Sequence, residues 1–126
     1  MRGELVMANV LIVDDSSTMR KIISRSLRQA GLPVDDIYEA GDGIEGLSAL
    51  GDKKVDLILS DINMPNMDGL EFIKQVRANG NSVPIVMITT EGGEDIIKEA
   101  LSSGASASIK KPFTPDQLNE KLGGLL

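Results

Sequence analysis

The sequence predicts an α/β fold in which a doubly wound, five-stranded parallel sheet, (βα)5, carries helices on both faces. Short apolar runs alternate five times with segments of helical periodicity along the 126 residues. Hydrophobic residues make up 41% of the chain and charged residues 25%, which is typical of a globular domain that buries its own core. Because crossovers between parallel strands are right-handed, five such units place helices on both sides of one sheet.

The strands are predicted from short runs rich in Val, Ile and Leu, four of which are typical of buried parallel strands. These runs are Val10–Val13, Ile37–Tyr38, Leu57–Leu59, Ile85–Ile88 and Ser106–Ile109. Each run is followed by a segment long enough for a crossover helix, so we expect the five strands to lie in one sheet.

The five helices are predicted from apolar residues that recur at helical spacing after each strand. In chain order these are Met19, Ile22, Ile23, Leu27 and Ala30; Ile44, Leu47 and Leu50; Leu70, Ile73 and Val76; Ile97, Ala100 and Leu101; and Leu118 and Leu122. We expect Ser17 to be an N-cap, Gly31 and Gly104 to be C′ residues, and Pro115 to lie in the first turn of the last helix.

The domain organisation is predicted to be simple, with residues 1–8 as an N-terminal extension and residues 9–126 as one folded domain. The first eight residues lack the continuous apolar segment of a signal peptide, and no apolar run reaches the length of a membrane span. We therefore expect a cytoplasmic, monomeric protein that does not insert into membranes.

Composition excludes several classes of function. Thirteen basic and nineteen acidic residues give a net charge of −6, so the field of the molecule would repel nucleic acid. The chain has no Cys and no His, which excludes thiolate catalysis, Ser-His triads and the common zinc sites. Chemistry is left to carboxylates, hydroxyls, lysine and a bound metal.

Five polar side chains follow the ends of predicted strands. Asp14 and Asp15 follow the first strand, Asp61 the third, Thr89 the fourth and Lys111 the fifth. In a doubly wound sheet this edge holds the ligand crevice, so the side chains are expected to converge. In isolation each has an ordinary alternative, because acidic residues cap helices, Thr is common in turns and Lys is usually solvated.

The combination predicts a phosphoryl site that uses a divalent metal. Three carboxylates held close raise one another's pKa, and a cation offsets this. Oxygen ligands without His or Cys favour Mg²⁺ or Mn²⁺ over zinc or copper. Asp is also a covalent nucleophile for phosphoryl groups, with Lys111 and Thr89 available to contact phosphoryl oxygens.

Four motifs resemble those of bacterial response regulator receivers. They are DDSSTMR at residues 14–20, SDINMPNMDG at 60–69, PIVMIT at 84–89 and KPF at 111–113. The resemblance covers essentially the chain after Met7, and the stand-alone chemotaxis regulators of the CheY kind are most similar. It implies the flavodoxin-like strand order 2-1-3-4-5, of which CheY itself is an established example.

The resemblance also implies the roles of individual residues in metal binding. Asp61 corresponds to the phosphorylated aspartate, which also binds the metal. Asp15 corresponds to a direct metal ligand, Asp14 to one that acts largely through water, and Asn63 to a ligand through its backbone carbonyl.

Further roles concern the phosphoryl group and its hydrolysis. The resemblance implies that Lys111 and Thr89 contact the phosphoryl group. Asn63 and Glu91 correspond to positions that tune the approach of the hydrolytic water. The Lys111–Pro112 peptide corresponds to one that is often cis.

One departure from the family pattern concerns the output. Ser108 stands three residues before Lys111, where the family usually carries Tyr or Phe. In the family mechanism Thr89 moves toward the phosphoryl group and the aromatic ring follows. The implied readout surface comprises helix 4, strand 5 and helix 5, with Ile97, Lys98 and Ser108 among its residues. Without the ring, binding to a flagellar motor switch, binding to another target and a phosphate-sink role all stay open.

The implied partners follow from the same resemblance. A CheA-like histidine kinase would donate the phosphoryl group, and a downstream target protein would read the phosphorylated state. A phosphatase is a further candidate partner. No output domain follows helix 5, so the signal is expected to leave by protein contact. The chain is not expected to be an enzyme beyond catalysing its own phosphoryl transfer and autodephosphorylation.

Three other interpretations fit the residues less well. A phosphatase of the haloacid dehalogenase kind expects a DxDx(T/V) motif, but Asp14 is followed by Asp15, and a cap domain is missing. A degenerate receiver that only binds partners is disfavoured by the intact acidic residues. A dinucleotide site at the GxGxxG string of residues 41–46 is disfavoured by Asp42 and Glu45, whose carboxylates would face the phosphates.

Overall fold

The computed structural model describes residues 7–90 and 94–125, in which strands and helices alternate strictly along the chain. The strands are β1 (Ala8–Val13), β2 (Val34–Ala40), β3 (Leu57–Ser60), β4 (Ile85–Thr89) and β5 (Ala107–Lys110). The helices are α1 (Ser17–Gln29), α2 (Gly43–Asp52), α3 (Gly69–Ala78), α4 (Glu94–Ser103) and α5 (Pro115–Leu122). The alternation predicted from periodicity is confirmed.

All strand pairs are parallel, and the strand order is β2-β1-β3-β4-β5, as the resemblance implied. The order reverses between β1 and β3, which pair with Val13 opposite Ser60. The residues that follow these two strands therefore emerge side by side at the carboxyl edge. This junction is where a doubly wound sheet holds its ligands.

The sheet is buried on both faces. Leu11 and Val13 of β1 point to one core, whereas Val10 and Ile12 point to the other, and none of the four is exposed. Helices α2, α3 and α4 cover the first core, and α1 and α5 cover the second. This two-sided burial explains the continuous apolar runs of the central strands.

The edge strands are more exposed than the central ones. β2 spans Val34–Ala40, well beyond the predicted Ile37–Tyr38. Its exposed acidic residues interrupt the apolar pattern, so the sequence revealed only the middle of the strand. β5 is displaced by one residue from its predicted range, and only Ile109 within it is buried. Continuous apolar runs are typical of strands that are buried on both faces, and these two edge strands are not buried in this way along their whole length.

The start of α1 differs by one residue from the prediction. The N-cap is Ser16 and not Ser17, because the Ser16 hydroxyl accepts a hydrogen bond from the Met19 N–H at 3.1 Å. Two adjacent serines offer the same capping chemistry, so the sequence alone does not distinguish them.

The other predicted helix ends lie close to the observed ones. Gly31 follows the C-cap of α1 with φ of +75°, as expected for a C′ glycine, and Gly104 directly follows α4 with φ of +121°. Pro115 is the first residue of α5, and Thr114 caps that helix in a capping box. None of the helices within residues 7–90 and 94–125 is long and apolar enough to cross a membrane.

Candidate functional site

Three carboxylates meet at the carboxyl edge of the sheet. Asp14 and Asp15 follow β1 and Asp61 follows β3, and one oxygen atom from each lies within 4.8 Å of the others. Asp14 is buried, Asp61 is partly buried and Asp15 is exposed, so the cluster opens to solvent on one side. The donor atoms are all carboxylate oxygens, which fits a hard divalent cation such as Mg²⁺.

Lys111 bridges two of these carboxylates. Its Nζ lies 3.2 Å from Asp14 Oδ2 and 3.8 Å from Asp61 Oδ2, and its side chain is only 9% exposed. The Lys111 N–H donates to the carbonyl of Thr89 at 2.8 Å, which ties the residue after β5 to the end of β4. A largely buried cation is thereby held against the acidic cluster.

The electrostatics of Asp61 reflect these neighbours. Burial raises the pKa of Asp61 above its ordinary value, and the charges of Asp14 and Asp15 raise it further. Lys111 and the Ile62 N–H, which donates to Asp61 Oδ1 at 2.7 Å, act in the opposite direction. Burial is the largest of these effects, so the pKa of Asp61 is raised on balance. A cation bound beside Asp61 would lower this pKa and favour the ionised carboxylate.

Thr89 is the last residue of β4 and is 2% exposed. It pairs with Lys110 of β5, and its carbonyl accepts the hydrogen bond from Lys111. Thr89 and Lys111 therefore belong to one junction at the same sheet edge as Asp61. The main chain therefore brings the ends of β4 and β5 together at this edge, as the sequence predicted.

The remaining predicted site residues lie around this edge. Asn63 is exposed in the loop between β3 and α3, two residues after Asp61. Glu91 lies outside the described residues. The Lys111–Pro112 peptide is cis, as the resemblance implied.

Gly69 is a residue that the sequence analysis missed. A Cβ atom at this position would collide with the carbonyl oxygen of Asp61 and lie 2.8 Å from Ile62 Cα. The Gly69 N–H donates to the Ile62 carbonyl at 2.7 Å. The first residue of α3 thus packs directly against the backbone that carries Asp61, which only glycine permits. The motif of residues 60–69 contained it, but no local pattern revealed the contact.

The glycine-rich string after β2 does not form a phosphate cradle. The Gly41 N–H donates to Glu45 Oε1 at 2.8 Å, and the Glu45 N–H donates to Asp42 Oδ1 at 2.9 Å. These backbone donors are satisfied by carboxylates of the chain itself. A pyrophosphate would have to displace both, so the dinucleotide interpretation has no support here.

A groove of about 570 Å³ lies beside the acceptor site, between α4, β5 and α5. Its walls are Ile97, Ser108, Ile109, Lys110, Lys111, Pro112, Gln117, Glu120 and Lys121. Two of the predicted readout residues, Ile97 and Ser108, line it, whereas Lys98 is exposed on α4. Ser108 has the smallest side chain of these residues, and the groove is of the size of ordinary ligand pockets.

Comparisons with known proteins agree with the fold. The family model of the response regulator receiver domain matches residues 10–123. The chain is 48% identical over 118 residues to the chemotaxis protein CheY1 of Helicobacter pylori strain J99, covering 90% of this chain and 92% of that protein. It is 46% identical over 120 residues to a chemotaxis protein CheY homolog of Campylobacter jejuni, covering 93% and 91%.

Solved structures show the same similarity. The chemotaxis protein CheY4 of Vibrio cholerae superposes with a TM-score of 0.85 at 39% identity, covering 96% of this chain and 100% of that one. A putative response regulator of Chloroflexus aurantiacus gives the same TM-score at 28% identity, covering 95% and 98%.

Proposed function

Since this chain belongs to the response regulator receiver family, we propose that it accepts a phosphoryl group onto Asp61 from the phosphohistidine of a CheA-like kinase. The observation that supports this most is the cluster of Asp14, Asp15 and Asp61 beside the largely buried Lys111. The chain is a response regulator of the chemotaxis type, because its curated relatives are chemotaxis proteins.

In the proposed reaction, a carboxylate oxygen of Asp61 attacks the phosphorus atom as the P–N bond to the donor imidazole breaks. The imidazole leaves with the electron pair of that bond and takes up a proton. It belongs to the partner, because this chain contains no histidine. Lys111, with its Nζ 3.8 Å from Asp61 Oδ2, neutralises charge on the transferring group.

The proposed metal is Mg²⁺, which Mn²⁺ can replace. Asp15, Asp61 and the Asn63 backbone carbonyl are the proposed direct ligands, and Asp14 acts largely through water. When bound there, the metal supplies additional neutralisation of the phosphoryl oxygens.

Two further residues have proposed roles around the phosphoryl group. Thr89, at the end of β4, hydrogen-bonds a phosphoryl oxygen of the modified Asp61. Asn63 and Glu91 set the lifetime of the acyl phosphate by controlling the approach of water, and a phosphatase partner would act at the same place.

The proposed output is phosphorylation-dependent binding of a target protein at α4, β5 and α5. The new dianion biases a two-state arrangement through Thr89, with a coupling free energy of typically about 1–3 kcal/mol. Ile97, Lys98 and Ser108 are the proposed contact residues. The open groove at Ser108 favours a second candidate, a phosphate sink without motor-switch output, because no ring is present to follow Thr89.

The first test of acceptance is its dependence on metal. Native chain is incubated with a small phosphoryl donor, with Mg²⁺ and with a chelator, and its intact mass is followed. We expect one phosphoryl group per chain with Mg²⁺ and at least a ~10²-fold slower gain without it, because the electrostatic contribution is lost. Absence of reaction despite bound Mg²⁺ would instead favour a degenerate receiver that only binds partners.

The second test concerns the output and uses Ser108→Tyr. A phenol ring at this position fills the groove, so we expect the ratio of target affinities with and without phosphorylation to change at least ~5-fold. Ser108→Ala is the matched control, because it leaves the groove open and should keep the native ratio. Both variants should accept the phosphoryl group at the native rate. An unchanged ratio in Ser108→Tyr would mean that the output does not pass through this position.

A further inference from the structure

The loop that leaves Asp61, residues 62–68, is tied sideways to the loop between β2 and α2. Asn66 Nδ2 donates to Asp42 Oδ2 at 2.7 Å, across 24 residues of sequence. The Gly43 N–H donates to the carbonyl of Met67 at 3.3 Å, and a Cβ at Gly43 would lie 2.7 Å from the Met67 side chain. The two loops are therefore joined by two neighbouring hydrogen bonds.

Asp42, which accepts the hydrogen bond of this link, is itself held in place by its surroundings. It is 7% exposed, and it is the N-cap of α2, because its Oδ1 accepts a hydrogen bond from the Glu45 N–H. The hydrogen bond from Asn66 and the amides of Glu45 and Ile44 hold the pKa of Asp42 below its ordinary value. The acceptor is consequently ionised at neutral pH, and a hydrogen bond to a charged group is stronger than one between neutral groups.

Asn66 is equally specialised. Its φ of +65° is the only positive value at a non-glycine position among the described residues. Asn tolerates this left-handed conformation better than most residues, and the turn aims its amide at Asp42. The positive φ of the backbone and the hydrogen bond to Asp42 therefore both favour Asn at position 66.

The link matters because Asn63 belongs to the same loop as Asn66. Asn63 stands between Asp61 and Asn66, is exposed, and makes no hydrogen bond to the described residues. The start of the loop is held by the Ile62 contacts with Asp61 and Gly69. Beyond Ile62, Met64 and Met67 pack against the core, and the hydrogen bond from Asn66 to Asp42 adds a fixed point on the neighbouring loop.

We propose that Asp42 and Asn66 are positioning residues whose hydrogen bond sets where the Asn63 carbonyl lies relative to the carboxylate cluster. The inference rests on the proposed function, in which that carbonyl is a metal ligand. Neither residue touches the metal or the phosphoryl group; their effect passes through the loop. Partners of metal ligands commonly tune affinity in this way.

Three variants isolate the link. Asn66→Gly removes the side-chain hydrogen bond and keeps the positive φ without strain. Asn66→Asp turns the link into a repulsion between two carboxylates. Asp42→Asn combined with Asn66→Asp restores one hydrogen bond with donor and acceptor exchanged, keeps the net charge, and leaves an oxygen to cap α2. The Mg²⁺ dissociation constant is measured by calorimetry, and the free energy of unfolding by urea titration of the metal-free protein.

We expect Asn66→Gly and Asn66→Asp to weaken Mg²⁺ binding roughly 3- to 10-fold, and the exchanged pair to recover native affinity. Added charge at position 66 would by itself attract Mg²⁺, so weaker binding in Asn66→Asp reports a displaced loop. Native affinity in Asn66→Gly, whatever its stability, would overturn the inference. If the native chain binds no Mg²⁺ and gains no phosphoryl group, the proposed function fails as well, which the native control distinguishes.

Discussion

Asp61→Asn is expected to abolish phosphoryl acceptance while making the metal-free protein more stable. The amide oxygen can still accept the Ile62 hydrogen bond, but it is no nucleophile toward phosphorus. The gain in stability follows because burial raises the pKa of Asp61, so its ionised form costs free energy in the fold. Intact mass measures the first effect and urea unfolding the second.

The pH dependence of this stability difference has a definite sign. A raised pKa means that the folded native chain binds the proton more tightly than the unfolded chain does. That contribution is present below the ordinary value of 3.8 and is lost as the pH rises through the raised value. The advantage of Asp61→Asn should therefore grow over that window and then level off. Asp52→Asn, at an exposed position on α2, is the matched control and should behave like native protein. Phosphorylation of Asp61→Asn at the native rate would contradict the assignment of the acceptor.

Lys111→Met is expected to reduce the rate of phosphoryl acceptance by about 10²- to 10³-fold, because one preorganised charge facing the transferring group is lost. It also leaves Asp14, which is 2% exposed, without its partner at 3.2 Å. Removing one member of a buried ion pair typically costs about 3 kcal/mol, so the metal-free variant should unfold more easily. Saturating Mg²⁺ should recover much of that loss, because it supplies positive charge to the same carboxylates.

Lys110→Met provides the control for this experiment. Lys110 precedes Lys111, is exposed at the end of β5 and makes no ion pair with the described residues. Its substitution changes the net charge equally but leaves the cluster intact. If both variants accept phosphoryl groups at the native rate, Lys111 has no part in the transfer. Equal Mg²⁺ protection of native protein and of Lys111→Met would contradict the electrostatic account.

The accuracy of the sequence predictions depended on how far each element is buried. β1, β3 and β4 lie between two layers of helices, so their apolar runs marked them clearly. β2 contains exposed acidic residues, and only Ile37–Tyr38 was recognisable within Val34–Ala40. The predicted strand boundaries were therefore less accurate where the side chains face solvent and not the core.

The same distinction applies to the site. Asp14, Asp61 and Lys111 follow strand ends, so the topology alone predicted their meeting. The contact of Gly69 with the Asp61 backbone and the link from Asn66 to the other loop depend on the paths of loops. Loop paths follow from tertiary contacts between distant residues, which no local periodicity records.

Lys111 also constrains how the protein can diverge after gene duplication. The residue forms part of the groove wall while its amine contacts two carboxylates. A duplicate that altered this wall at Lys111 to recognise another partner would lose charge balance at the acceptor. In the proposed output, new specificity is open to Ile97 on α4 and to Gln117 and Lys121 on α5, which line the groove and, among the described residues, form no ion pair or side-chain hydrogen bond with Asp14 or Asp61. In the proposed function, a change at Lys111 would therefore affect both partner choice and phosphorylation, whereas changes at these three positions would affect partner choice alone.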